Sequence, residues 1–232
     1  MVSQVNGAWQ PPIPVRGLPA LDAGGAGSID SVSCASPGDC AAGGSFTPWG
    51  HGGAAFVISQ VDGTWGSAQA VTAGAGLDPD GLLAITSMSC SSAGDCTAAG
   101  TAWSNVSVSA GFAVREVHGT WSLATPLRTP YQWRVWTLLL SCASAGACAA
   151  AGYYSDPYNA KGFVITEARG IWGTARQDPR GRVFTSGADI NVASLSCAPG
   201  GSCVAGGSYG TGINIPGAQD TEYTQAFLLT IR

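Results

Sequence analysis

Eight cysteines fall in four evenly spaced pairs, and no other feature of this chain limits its fold so tightly. The pairs are Cys34 and Cys40, Cys90 and Cys96, Cys142 and Cys148, and Cys197 and Cys203, each with the spacing C-x5-C. Their first members stand 56, 52 and 55 residues apart. The text around them recurs as SVSCASPGDCAAGG, SMSCSSAGDCTAAG, LLSCASAGACAAAG and SLSCAPGGSCVAGG. A second block follows the first three pairs by about 16 residues and reads FVISQVDGTW, FAVREVHGTW and FVITEARGIW. Self-similarity at a fixed period means one supersecondary unit repeated, each copy burying its apolar faces on its neighbours.

The fourth copy of the second block is split between the chain ends. QAFLLTIR at the C-terminus aligns with its first half, and VNGAW at the N-terminus with its second. Phe56, Phe112 and Phe163 each precede a Trp by nine residues (Trp65, Trp121, Trp172), whereas Phe227 has no Trp after it and Trp9 no Phe before it. One cut through a circle of four units accounts for both absences.

Each unit reads as four strands. The first is IDSVSC or its equivalent, the second CAAGGSF, CTAAGTAW, CAAAGYY or CVAGGSY, the third FVISQV, and the fourth begins at the Trp of GTW. SPGD and SAGD join the first two strands; DG, HG, RG and NG join the third and fourth, DG and NG being strong hairpin signals. Gly is 34 of 232 residues, only 10% are charged, and no long 3.6-period apolar pattern is present, so the chain reads as all-β. Four-stranded antiparallel units repeated around an axis describe a four-bladed β-propeller. The blades span about 28–72, 84–127, 136–178 and 190–232, the last completed by 1–15, in a single domain of residues 1–232. Velcro closure is expected, with the strand of Trp9 pairing with that of Phe227, because a ring closed in this way exposes no strand edges. An eight-bladed ring of two chains is the structural alternative.

The pattern I-x-S-x-S-C…C-x-A-x-G…F-x-x…G-T-W resembles the Asp-box (BNR-like) propeller repeats of bacteria, in the tandem Cys-containing form of exported actinobacterial proteins. Ser59 to Trp65 is similar to the Asp-box hairpin, with Asp62 at the Asp position and His118, Arg169 and Asn6 in the other copies. The resemblance covers nearly the whole chain. It implies architecture, and it implies no activity, because propellers carry unrelated functions.

Four equal short-range cysteine pairs predict the disulfides Cys34–Cys40, Cys90–Cys96, Cys142–Cys148 and Cys197–Cys203. Zinc knuckles use C-x2-C to C-x4-C, and His51 and His118 are the only histidines, so no metal and no cofactor are expected. Free buried thiols are the remaining alternative. Disulfides belong to an oxidising compartment, which predicts a secreted or cell-surface protein. The N-terminal MVSQVNGAWQ has no basic stretch followed by an apolar one, so a signal peptide is expected to have been removed. A formal net charge of −4 argues against nucleic acid as a partner, and no apolar run is long enough for a membrane-spanning helix. A monomer is expected, a dimer being the alternative.

Residues that recur four times carry structure. The Ser before each first cysteine (Ser33, Ser89, Ser141, Ser196) has no recurring His or Asp beside it, so no triad is visible. Gly44, Gly100, Gly152 and Gly207 mark close backbone approach or a bulge. Trp9, Trp65, Trp121 and Trp172 are expected between blades.

Function is expected where the repeats differ, on the face carrying the long loops. Thr129 to Trp136 holds Tyr131, Trp133, Arg134 and Trp136; Tyr153 to Lys161 holds Tyr153, Tyr154, Asp156, Tyr158 and Asn159. Arg182 and Asp189 follow, then Asp220, Glu222 and Tyr223 in the longest insertion, while Trp49, His51 and Trp103 come from the other half of the face. Trp136 abuts a strand and either caps the core or faces a ligand. Rings beside Asp, Asn and Arg are what a sugar site needs, since pyranose C–H faces stack on rings and hydroxyls take directional hydrogen bonds.

The leading reading is therefore an exported, lectin-like carbohydrate-binding propeller using the loop face of blades 3 and 4. The alternative is an enzyme (glycoside hydrolase, lyase, isomerase or cyclase) acting on a glycan or small natural product in the same cleft. The second alternative is a protein-interaction scaffold. Asp78, Asp80, Asp156, Asp178, Asp189, Asp220 and Glu222 are the carboxylates of that face, and no catalytic pair among them is singled out. Asp78-Pro-Asp80-Gly81 reads as a solvated turn, since the further ligands of a Ca²⁺ loop are missing.

Overall fold

The fold was obtained as a computed structural model, which describes residues 2–22, 25–48, 52–104, 109–129, 135–155, 160–176, 190–210 and 224–231. The expectation of an all-β chain holds: the one helix among the described residues is a single turn, α1 (Leu18–Leu21). A short N-terminal hairpin comes first, β1 (Gln4–Val5) and β2 (Ala8–Trp9). Repeat 1 contributes β3 (Ser28–Ser36), β4 (Asp39–Phe46), β5 (Ala54–Val61), β6 (Thr64–Trp65) and β7 (Gln69–Ala70). Repeat 2 contributes β8 (Leu82–Ser92), β9 (Asp95–Trp103), β10 (Ser109–Val117), β11 (Thr120–Trp121) and β12 (Thr125–Pro126). Repeat 3 holds β13 (Val135–Ser144), β14 (Ala147–Ser155), β15 (Ala160–Ala168) and β16 (Ile171–Trp172); repeat 4 holds β17 (Ile190–Cys197), β18 (Cys203–Gly210) and β19 (Thr224–Ile231).

Each repeat is one antiparallel meander, in the orders β3-β4-β5-β6, β8-β9-β10-β11, β13-β14-β15-β16 and β17-β18-β19. The fourth strand is broken in repeats 1 and 2: a two-residue pair follows the turn, and β7 or β12 then rejoins the third strand farther along. The turn before it explains the variable residue of the second block. Asn6, Asp62, His118 and Arg169 have φ of 49°, 48°, 49° and 54°, and the glycine after each is also at positive φ. Two successive residues at positive φ make the type I′ turn that matches strand twist. The backbone sets this turn, so the first side chain varies.

All four predicted disulfides form, each joining direct cross-strand partners such as Cys34 and Cys40 beside the first turn of the sheet. Next to that turn, Gly38 O accepts the Gly63 N–H at 2.9 Å, and a Cβ on Gly38 would lie 2.8 Å from that nitrogen. Gly100 meets the close approach expected of it, because a Cβ there would lie 2.0 Å from Ala84 O, opposite a bulge in β8.

The sheets stack in chain order. β4, β9 and β14 are buried over most of their length on both faces, and small residues (CAAGG, CTAAG, CAAAG) are what a strand pressed between two sheets can carry. Phe56, Phe112 and Phe163 are fully buried at equivalent third-strand positions. Ile85 and Met88 of β8 reach across to Gly43 of repeat 1, and Leu138 of β13 packs toward Gly111 of repeat 2. The recurring serines tie these layers. Ser33 Oγ accepts the backbone N–H of Cys90 at 2.9 Å, Ser89 that of Cys142 at 3.0 Å, and Ser141 that of Cys197 at 2.9 Å.

Two expectations need correction. Among the described residues, β19 pairs with β18 alone and β1 with β2 alone, so the ladder expected between the Trp9 strand and the Phe227 strand is not present. Trp9, held on that separate two-strand hairpin, is 71% exposed, whereas Trp65 is buried between its sheet and the N-terminal segment; Trp121 and Trp172 are half-buried.

Candidate functional site

The loop end of the seam between repeats 2 and 3 carries two exposed indoles. Trp103 closes β9, is 42% exposed, and is the cross-strand neighbour of Ser109, the first residue of β10. Ser109 is buried; its Oγ accepts the Val135 N–H at 2.6 Å and donates back to Val135 O at 3.3 Å. This pair of bonds fixes the start of β13 against repeat 2. Trp136 comes next. It is the extra residue of a β-bulge, since the register passes from Val135 opposite Tyr154 to Thr137 opposite Tyr153. A bulge bends its strand and re-aims the side chain of the extra residue. Trp136 accordingly is 47% exposed, with Nε1 donating to Ser155 Oγ at 2.9 Å. It faces outward and so does not cap the core.

Of the remaining expected ligand residues, Tyr131, Trp133, Arg134, Asp156, Tyr158, Asn159, Arg182, Asp189, Asp220, Glu222, Tyr223, Trp49 and His51 lie outside the described residues, as does Asp178. Tyr153 is described and half-buried. Tyr154 is only 1% exposed and its ring centroid lies 6.1 Å from that of Phe163, so it is a core residue of repeat 3. The reason is the pleat: adjacent strand residues point to opposite faces, so Tyr153 and Tyr154 cannot both face the loops. Phe46 takes the same place in repeat 1, packed on Phe56 at 6.3 Å. Asp78 and Asp80 form a local turn, Asp78 Oδ1 accepting the Asp80 N–H at 3.1 Å and Asp78 O the Gly81 N–H at 3.1 Å. No group of three or more His, Cys, Asp and Glu among the described residues is placed to hold a metal ion.

Two carboxyl groups outside the expected set are buried near the opposite, hairpin end. Glu116 is 1% exposed; its Oε1 accepts the Ser59 hydroxyl at 2.5 Å, and Trp121 Nε1 donates to the same oxygen of Ser59 at 3.0 Å. Burial pushes the Glu116 carboxyl above its ordinary range; the Ser59 bond pulls it down and the charge of Asp95 adds to the rise. Glu167, its equivalent in repeat 3, is raised by burial and pulled back by the charge of Arg115, and its Oε2 is buried without a hydrogen-bond partner. It lines a shallow cleft of about 440 Å³ with Arg115, Ser122, Pro126, Arg128 and Trp172. The sequence signal for these residues was Gln60, Glu116, Glu167 and Ile231 at one aligned position of an otherwise apolar strand. A buried polar position that differs between copies marks a seam-specific contact.

No protein-family model matches the chain, and no curated protein matches it. Solved structures do. The Hadza microbial sialidase Hz136 superposes with a TM-score of 0.54 at 14% identity, over 87% of this chain and 44% of the sialidase. The Penicillium chrysogenum α-L-arabinanase complexed with arabinobiose superposes with a TM-score of 0.55 at 13% identity, over 88% of this chain and 62% of the arabinanase. The fold is thus of the β-propeller type, and the chain spans less than two thirds of the length of either protein.

Proposed function

We propose that the four repeats are blades of a propeller, that the protein is exported, and that it binds carbohydrate at the loop end of blades 3 and 4. The observation that supports this reading is Trp136 of blade 3, exposed and held by its bond to Ser155, with a second exposed indole, Trp103, across the seam on blade 2, where Ser109 bonds Val135. An exposed ring anchored by its polar edge, as Trp136 is, offers a flat apolar face to a pyranose at little entropic cost. In this reading Tyr131, Trp133, Arg134, Tyr158, Arg182, Asp189, Asp220 and Glu222 supply the hydrogen-bonding groups. Four disulfides fit an oxidising compartment, and no described helix is long and apolar enough to cross a membrane.

A second reading, an enzyme acting on a glycan in the same cleft, draws on the likeness in fold to a sialidase and an arabinanase. One experiment separates the two. The oxidised protein is titrated with neutral and acidic oligosaccharides, arabino-oligosaccharides among them, while melting temperature and product formation are followed. A ligand at ten times its Kd stabilises by about 1.4 kcal/mol, a rise of roughly 3–6 °C for a chain of this length. Binding that Trp103→Ala and Trp133→Ala abolish without lowering the unliganded melting temperature supports the binding reading. Turnover lost on amidating Asp156, Asp189, Asp220 or Glu222, with binding intact, supports the enzyme. No saccharide bound at all overturns both.

A further inference from the structure

The two terminal repeats expose faces that are buried or half-buried at the internal seams. In the first strand, Ile85 and Leu138 are fully buried and Val192 is 2% exposed; Ile29, opposite the equivalent glycine in repeat 1, is 37% exposed. Two residues before the first cysteine, Met88 and Leu140 are both 6% exposed and Leu195 is half-buried, whereas Val32 is 61% exposed. Repeat 4 shows the complement. Leu228 is 82% exposed where Val57 and Ala113 are 1% and 4% exposed, and Val204 is 40% exposed where Ala41 and Ala149 are fully buried. A Cβ on Gly43 would meet Met88 and Ile85 of the next repeat, whereas on the equivalent Gly206 the three nearest atoms, of Ser194, Leu228 and Phe227, all belong to its own sheet. The serine series stops at the same place. Ser33, Ser89 and Ser141 hold the Cys backbone of the following repeat, while Ser196 and Cys34 are exposed.

We propose that these faces are the two halves of one seam and that a second copy of this chain supplies the missing half of each. Repeat 4 of one copy packs on repeat 1 of its partner, twice, around a two-fold axis. In each junction Leu228 and Val204 cover Ile29 and Val32 of the other copy, and Ser196 Oγ accepts the N–H of Cys34. The occupant is argued from continuity. The same chain already builds this contact three times with the same residue types at the same positions, so the surface that fits each open face is the other open face. A head-to-tail contact closes into a ring or runs on as a filament; two apolar faces on one small protein make closure the soluble outcome.

The test is solution mass by light scattering on the oxidised full chain over a wide concentration range, together with hydrogen exchange at Cys34. Twice the chain mass, with the Cys34 amide as protected as that of Cys90, is expected. Val32→Glu and Leu228→Glu each give a monomer, while Val61→Glu, on an exposed hairpin edge, leaves the dimer intact. Mixing the Val32→Glu and Leu228→Glu chains restores dimers, because one of their two junctions is then unmodified. All three positions are exposed in the single chain, so circular dichroism is expected to show every variant folded. A wild-type monomer overturns the proposal. So does a monomer whose Cys34 amide is protected, which means that the chain covers its own faces. An open-ended series of oligomers, or no complementation on mixing, overturns it too. None of these readouts involves a saccharide, so the result stands apart from the binding reading.

Discussion

Ser89 accepts the backbone N–H of Cys142 through its hydroxyl at 3.0 Å, one repeat and 53 residues away, in a seam whose residues are half-buried or buried. The serine beside the first three disulfides thus serves the next sheet and not its own. That answers why a serine precedes every first cysteine: a small side chain fits the seam, and its oxygen satisfies an amide that faces no partner within its own ladder.

Ser89→Ala is expected to leave the Cys142 amide without its acceptor and to cost about 1–3 kcal/mol. Urea unfolding measures it. The same substitution at Ser196 is expected to cost little in the isolated chain, because Ser196 is exposed. Equal losses at both positions would show that the seam bonds are not what the serines supply.

Removing one staple, by Cys90→Ser with Cys96→Ser, is expected to cost about 2 kcal/mol from loop-closure entropy. For a chain of this length that lowers the melting temperature by roughly 4–8 °C. Calorimetry checks it, and full reduction, seen as a gain of about eight mass units, is expected to lower it much further.

Glu167→Gln is expected to raise stability at neutral pH and to change little near pH 4. Burial holds the folded-state pKa of Glu167 above its ordinary value of 4.5, so the folded protein holds the proton more tightly. Burial then costs nothing below 4.5, and the penalty grows as pH rises from there through the folded pKa. Glutamine is neutral throughout and escapes it. Glu116→Gln is expected to follow the same course, and Gln60 already occupies that position in repeat 1. Melting curves from pH 4 to 8 decide the matter; a loss at pH 7 would mean that the ionised carboxylate earns its place through Arg115.

His118→Asn is expected to stabilise by up to about 1 kcal/mol, because φ of 49° suits Asn better than a bulkier side chain. His118→Val is expected to destabilise, since β-branching resists that region. Comparing the two variants by chemical denaturation tests whether the turn is set by the backbone alone.

Much of the fold could be read from the residues, and the reason is local. Cys34 and Cys40 must meet if SPGD turns; Asp62-Gly63 turns wherever two apolar strands flank it; Gly44 and Gly100 stand where a neighbouring carbonyl comes too close for a Cβ. Fourfold repetition turned each of these local signals into a pattern. The site was less legible. Tyr154 was misplaced because a Tyr-Tyr pair does not say which ring lies inward, and Trp136 was ambiguous because a bulge is a matter of register between two strands. Glu116 and Glu167 escaped attention because a carboxylate in a strand is ordinarily solvated.

By itself, then, the sequence determined what depends on short separations along the chain: the repeat, its strands and turns, and the four disulfides. Tertiary structure decided what depends on which sheet lies against which. It buried Glu116 against Ser59, turned Trp136 outward, and left Trp9, Val32 and Leu228 exposed where the equivalent residues of inner repeats are covered or half-covered. Equivalent residues in a repeat share a local conformation, but their burial is set by a neighbour more than fifty residues away, and the end repeats lack that neighbour on one side.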